Sequence, residues 1–226
     1  MLTALRRLGE ASKAELARQV KLTQNAAGQI VRDLERQELV VVTGKRSGLR
    51  GQPATLLQLN PKGAYSIGIK LGRRTLDAVL VDFSGEVLHT SRHEHEFPMP
   101  EAAFEAIRHD ISALRRRIPV KARSRLSGIG LAMPYNLGSW RRELDIPDAV
   151  CTAWNDFDIA ARLRRAVDVP VWVENDGTAV AVAELFRGHG RELDDFAVVY
   201  IGTAVGGGLV LGGSYRRGAT GNAGDI

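Results

Sequence analysis

The chain has 226 residues, 44% hydrophobic and 25% charged, with one cysteine and a net charge of +5. This is the composition of an ordinary globular protein with enough chain for one or two domains. The lone Cys151 excludes an internal disulfide and a cysteine-rich zinc site within the chain, and no apolar run reaches the roughly 20 residues of a membrane span. The start lacks a secretory apolar region and cleavage site, so a cytoplasmic protein with no membrane partner is expected. The charge is uneven. Residues 1–62 hold 11 Lys and Arg against 5 Asp and Glu, whereas residues 63–226 hold 20 against 21. A basic first quarter joined to a neutral body is the electrostatic footprint of a nucleic-acid module on a larger domain.

Leu2, Leu5 and Leu8 give a short helix over 2–8, which Gly9 ends. Ser12 and Glu15 have capping-box spacing, and Leu16, Ala17 and Val20 continue a second helix that stops near Lys21 and Leu22. Thr23 then offers its hydroxyl as another N-cap. Ala27, Ile30, Val31 and Leu34 form one apolar stripe, expected to be buried. The opposite face shows Gln24, Asn25, Gly28, Gln29 and Arg32. Stretch 12–34 therefore reads as a helix-turn-helix. A helix of this width fits the major groove, where Asn or Gln can make a bidentate contact to adenine. Residues 39–42 read as a β-branched strand, 43–53 as a turn punctuated by glycine and proline, and 54–59 as a returning strand. Three helices and a ribbon make a winged helix. Lys45, Arg46 and Arg50 are placed near the wing tip, where arginine suits a narrow minor groove.

Asn60, Pro61, Lys62 and Gly63 break the pattern and divide a DNA-binding domain at 1–62 from a second domain at 63–226. Segments 64–71, 75–82 and 86–90 alternate as an antiparallel meander. A helix over 100–118, a strand over 126–133, a helix over 157–167 and a strand over 171–173 follow. Next come a helix over 178–186 and strands over 196–201 and 208–211, with a glycine loop between the last two. The order βββαβαβαββ predicts an α/β fold: a mixed sheet with helices on its faces, of ribonuclease-H-like type. His89, His93 and His95 read as residues of a strand-to-helix loop rather than a metal site. Cys151 reads as a small half-buried side chain. Gly202, Thr203, Gly206 and Gly207 after a strand can let backbone amides approach an anion, or form a tight turn. Asn175 and Asp176, between a buried strand and a helix, can grip adjacent sugar hydroxyls or cap the helix.

These motifs together resemble the ROK family of repressors and sugar kinases. The likeness spans Gly51-Gln52-Pro53 at the wing, Ile67-Gly68-Ile69 and Gly72, the run from Gly128 to Pro134, and Trp154. It continues through Val173-Glu174-Asn175-Asp176, Glu184, Gly202 to Gly208, and Gly221 to Ile226. The resemblance implies a two-lobed, actin-like kinase fold behind the winged helix. It implies that Asn175, Asp176 and Asp225 hold a sugar or sugar phosphate, and that Gly202, Thr203, Gly206 and Gly207 are the remnant of a phosphate loop. In family kinases the residue matching Asp176 is the general base. This sequence departs from the kinase pattern at Lys70, where the first phosphate loop should carry an acid, and at Arg73-Arg74. A lysine cannot ligate magnesium. Asp225 stands where the family has a longer Glu. The family's histidine, zinc motif and most of its second lobe are expected beyond residue 226, so no cofactor is expected within this chain. The reading is a sugar-responsive transcriptional regulator acting on duplex DNA, a repressor and a dimer, without enzyme activity. The alternative is an ATP-dependent sugar kinase with a fused DNA-binding head.

Overall fold

A computed structural model describes residues 1–46, 53–134, 147–201, 205–219, 221, 223 and 224. It divides into two compact units, Met1–Tyr65 with Asp82–Glu86, and Ser66–Val81 with Val87–Ile226.

The first unit contains α1 (Leu2–Leu8), β1 (Ala11–Ser12), α2 (Lys13–Gln19), α3 (Gln24–Arg36), β2 (Val40–Arg46) and β3 (Ala54–Leu59). The capping box forms at α2: Glu15 N–H donates to Ser12 Oγ at 3.3 Å, and Ser12 N–H donates to Glu15 Oε2 at 2.7 Å. Thr23 Oγ1 accepts from Ala26 N–H at 3.3 Å and starts α3. Left-handed Lys21 (φ 53°) and Glu38 (φ 57°) close the turns after α2 and α3. Leu5, Leu16, Val31, Val40 and Leu57 form the core, and Phe83 of the Asp82–Glu86 turn packs on it. Arg6 Nη2 donates to Phe83 O at 3.2 Å, with its guanidinium 5.7 Å from that ring. Burial pushes the Arg6 pKa below its ordinary value.

Three expectations in this unit are corrected. The buried arc of α3 is Ala27, Gly28 and Val31, with Leu34 half-buried. Ile30 is 36% exposed, because the arc is rotated toward Gly28 and leaves Ile30 at its edge. Leu8 is likewise exposed, and Ala4 joins Leu5 as the buried pair of α1. Finally, β2 runs on through Arg46, so Lys45 and Arg46 are strand residues paired with Thr55 and Ala54 at the loop end of the ribbon, and not part of a turn over 43–53. A register shift between Val42 and Gly44 absorbs Thr43, whose hydroxyl donates to Glu10 Oε1 at 2.6 Å. The two-residue β1 adds a third strand, giving the antiparallel order β1-β3-β2.

The second unit is built on a five-stranded sheet, β6-β5-β4-β7-β8, and a three-stranded one, β11-β10-β9. Its strands are β4 (Tyr65–Leu71), β5 (Thr75–Asp82), β6 (Val87–Glu94), β7 (Leu126–Met133), β8 (Val171–Asn175), β9 (Phe196–Ile201), β10 (Val205–Leu211) and β11 (Ser214–Arg216). Strands β7 and β8 are parallel, and β5–β6 and β9–β10–β11 are antiparallel. Helices α4 (Pro100–Arg117), α5 (Asp148–Asn155), α6 (Ile159–Ala166) and α7 (Asp176–Arg187) connect them. Ile67, Ile69 and Leu71 alternate inward on β4, and Ile107, Ile129, Leu131 and Leu163 are buried on α4, β7 and α6.

Here α5 and β11 are elements that the sequence does not announce, and β6 runs past its expected end. The longer β6 takes in His93, which is therefore not in a loop. Its Nε2 lies 2.9 Å from Oδ1 of the buried Asp110, which also accepts from Ser91 Oγ at 2.9 Å. His95 Nε2 donates to Gly72 O at 3.0 Å. Cys151 is buried, not half-buried, on α5. Trp154 on the same helix donates from Nε1 to Pro98 O at 2.7 Å. Strand β10 starts at Val205, so Gly206 and Gly207 are strand residues and not a loop, ahead of Gly208, which lies in the strand as expected.

Candidate nucleic-acid interface and ligand cleft

The outward face of α3 carries Gln24, Asn25, Gln29 and Arg32, all exposed, and exposed Thr23 at its cap. Gly28 is a correction. It is buried, and a Cβ added there would meet Arg32 Nη1 at 3.6 Å, so Arg32 covers it from solvent. Below Arg32 a surface groove of about 440 Å³ is lined by Gln29, Arg32, Asp33, Glu35 and Arg36. Arg36 is paired with Asp33. Arg36 is absent from the sequence-based set of site residues, although it sits four residues after Arg32 and so on the same helical face.

On the ribbon, Lys45 is exposed, while Arg46 is held. Its Nη1 and Nη2 reach Glu15 Oε1 and Oε2 at 3.2 and 3.3 Å. The Glu15 carboxyl is held below its ordinary pKa, first by the Ser12 backbone and hydroxyl and then by Arg46. One carboxylate therefore serves both the α2 cap and the ribbon. Arg50 lies outside the described residues.

The cleft forms where β8 runs into α7. Asn175 is the N-cap of α7: its Oδ1 accepts from Gly177 N–H at 2.8 Å and from Thr178 N–H at 3.3 Å. Asp176 Oδ1 also accepts from Gly177 N–H, at 3.1 Å. Beside them lies a cavity of about 480 Å³ whose lining includes Met133, Val173, Glu174, Asn175, Arg217 and Gly218. Glu174 Oε1 pairs with Arg217 Nε at 3.1 Å. That size suits a small molecule, and a carboxylate, an amide and a guanidinium give donors and acceptors for a polyhydroxyl compound. Arg217 is not apparent from the sequence. No local motif marks it, because its pairing with Glu174 joins segments far apart in the chain.

Asp225, Gly202 and Thr203 lie outside the described residues. Gly206 faces open space. The neighbouring glycines allow close packing: a Cβ on Gly177 would stand 2.3 Å from Gly207 O, and one on Gly208 would stand 2.5 Å from Ala181 Cβ. Helix α7 thus abuts the backbone of β10. At the other glycine motif, Gly72 N–H donates to Thr75 O at 2.8 Å. The Lys70 ammonium lies 5.7 Å from the centre of the Tyr200 ring.

A small unit of three helices and a three-stranded sheet, followed in the chain by an α/β unit with a cleft at a strand-to-helix junction, gives a sugar-kinase-like fold with an added N-terminal unit. The ROK family model matches residues 66–226, and the chain belongs to that family. It is 26% identical to a xylose repressor of Bacillus spizizenii over 95% of this chain and 55% of that protein. It is 30% identical to a glucokinase of Halalkalibacterium halodurans over 72% of this chain and 48% of that protein. Among solved structures, a ROK family transcriptional regulator, a homologue of the E. coli Mlc protein, superimposes with a TM-score of 0.67 at 24% identity, covering 100% of this chain and 58% of that one. The chain thus spans about half the length of the relatives it matches. No helix among the described residues is long and apolar enough to cross a membrane.

Proposed function

We propose that the chain is the DNA-binding and sugar-sensing part of a transcriptional regulator, a repressor of sugar metabolism or transport that acts as a dimer. The first unit, over about residues 1–62, is a winged helix. Its α3 enters the major groove, with Asn25 and Gln29 toward base edges and Arg32 toward phosphate, while Lys45 and Arg46 hold the backbone beside it. The observation that carries this reading is the exposure of Gln24, Asn25, Gln29 and Arg32 together on one capped helix. The similarity to a xylose repressor along 95% of the chain supports it. Asn175, Asp176, Glu174 and Arg217 bind the sugar. The ligand acts by binding the DNA-competent and DNA-incompetent states with different affinity.

The test is fluorescence anisotropy on DNA from upstream of the coding region, over a salt series, with and without xylose or glucose. Binding should weaken steeply with salt, as counterions released from phosphates predict. Asn25→Ala should lose about 1–3 kcal/mol of discrimination at one base position. A flat salt response would overturn the reading.

The glucokinase match favours a second reading, an ATP-dependent sugar kinase with Asp176 as base. Lys70 argues against it, since no carboxylate stands at that point of the first loop to organise magnesium. Hexose-dependent ADP release that disappears in Asp176→Asn would establish the kinase instead.

A further inference from the structure

The body of the protein is neutral in sum, but its charge is gathered. Helix α4 ends on Arg115, Arg116 and Arg117, the turn at Val120–Arg125 adds Lys121, Arg123 and Arg125, and α6 ends on Arg164 and Arg165. Hydrogen bonds fix these segments at one end of the unit. Arg115 forks onto Asp168, which follows α6, with Nη1–Oδ1 at 2.6 Å and Nη2–Oδ2 at 2.9 Å. Arg123 donates to Ile118 O at 3.3 Å and to Arg116 O at 3.4 Å. Arg164 Nε donates to Val171 O at 3.4 Å, at the start of β8. Segments 111–126 and 163–170, joined by the Arg115–Asp168 fork, thus hold eight cations against one acid, Asp168.

Part of this charge serves the fold. Cations at helix C-termini are favoured by the helix dipole, and Arg123 satisfies two carbonyls at the end of α4. The dipole benefit extends to Arg117 and Arg165, in the last turns of their helices, but not to Lys121, and it does not explain why all three side chains are left without a partner among the described residues. All three are exposed, and their side chains make no hydrogen bond or ion pair among the described residues. Crowded like charges repel one another and cost stability, so a surface kept for solubility alone would mix signs. Seven of the eight cations are arginine, whose planar fork matches phosphate oxygens.

We infer that this end of the second unit is a sequence-independent binding surface for the phosphate backbone of duplex DNA. The inference rests on the chain being a DNA-binding protein. Arg117, Lys121 and Arg165 contact phosphates, and Arg115, Arg116 and Arg123 hold the surface in shape.

The probe is a fluorescein-labelled duplex of arbitrary sequence, titrated with the full chain over a salt series. In R117A/K121A/R165A the slope of log affinity against log salt should fall by about 2–3, near 0.9 for each phosphate that is no longer neutralised. The same fall should appear in a chain that also carries Asn25→Ala and Arg32→Ala, because the surface acts independently of α3. An unchanged slope in the triple variant, with the parent chain binding normally, overturns this inference and leaves the α3 reading standing. A parent chain that binds no duplex at all overturns both. Labelled polyglutamate that binds the parent and loses binding in the triple variant, while the duplex slope stays put, would assign the surface to an acidic protein and overturn it too.

Discussion

Gly177→Ala sets two opposed effects against each other. Gly177 is the second residue of α7, and replacing a helical glycine by alanine normally stabilises by about 0.5–1 kcal/mol. Here the new methyl would stand 2.3 Å from Gly207 O, 2.9 Å from Gly207 N and 3.0 Å from Gly207 C. The obstacle is backbone, so no rotamer change relieves it, and α7 or β10 must move by about an ångström. Overpacking of this kind costs about 1–3 kcal/mol. The net expectation is a loss of about 1–2 kcal/mol. With an m-value of about 2 kcal/mol/M, the urea midpoint should fall by about 0.5–1 M. The first unit holds no tryptophan, so tryptophan fluorescence follows the unfolding of the second, where Trp154 and Trp172 lie. A midpoint that rises would refute the close approach of helix to strand, because propensity alone would then decide the outcome.

Three further outcomes follow from the same geometry. Glu15→Gln keeps a residue able to complete the α2 capping box but removes the charge that pairs with Arg46. Since the Glu15 pKa is lowered by folding, its contribution to stability is present above the ordinary carboxylate range and is lost as pH falls through the lowered value. The variant should therefore show a flatter acid limb below about pH 5 in far-UV circular dichroism melts, and an unaltered limb would contradict this. Thr178→Val removes a buried hydroxyl that has no hydrogen-bond partner, so thermal unfolding should show unchanged or higher stability, by up to about 1 kcal/mol. Leu57→Ala empties a fully buried position in the first unit and should cost about 2–5 kcal/mol in chemical denaturation, and the proposed DNA binding should be lost with the fold.

The head is largely legible in the sequence because its signals are local. The Ser12–Glu15 box, the Thr23 cap and the 3.6-residue spacing each act within a few residues, and all three reappear in the structure. Ile30 and Gly28 depart from expectation, because periodicity gives the width of a buried arc but not which neighbour fixes its edges. The glycine and lysine content of the ribbon reads as a turn. Pairing with Thr55 and Ala54 overrides that composition, as strand partners commonly do. Helix α5 follows a stretch with no cap signal, and its burial depends on Trp154 reaching Pro98, a contact 56 residues away in sequence. In the cleft, Asn175 and Asp176 are visible as a motif at a strand-to-helix junction. Arg217 is not, because its partner Glu174 lies on a distant segment of the chain.

The first loop and the start of α7 differ in which polar groups are left over for a ligand, and that difference favours the proposed sensor over its kinase alternative. At the first loop the backbone is already engaged. Gly72 N–H is bound to Thr75 O, His95 N–H to Arg74 O, and His95 Nε2 to Gly72 O. A phosphate cradle needs such amides turned outward and a metal held by a carboxylate. Here Gly72 N–H is already taken, and the ammonium of Lys70 rests beside Tyr200 where an acid is needed. At the α7 end, by contrast, Asn175 commits its carbonyl to the cap and keeps its amide group next to a cavity of about 480 Å³. Recognition of hydroxyls needs only that amide, the Glu174–Arg217 pair and a rigid helix start, all of which are present. Phosphoryl transfer needs both ends at once. The proposed sensor therefore needs the start of α7 alone, whereas the kinase alternative needs the first loop as well.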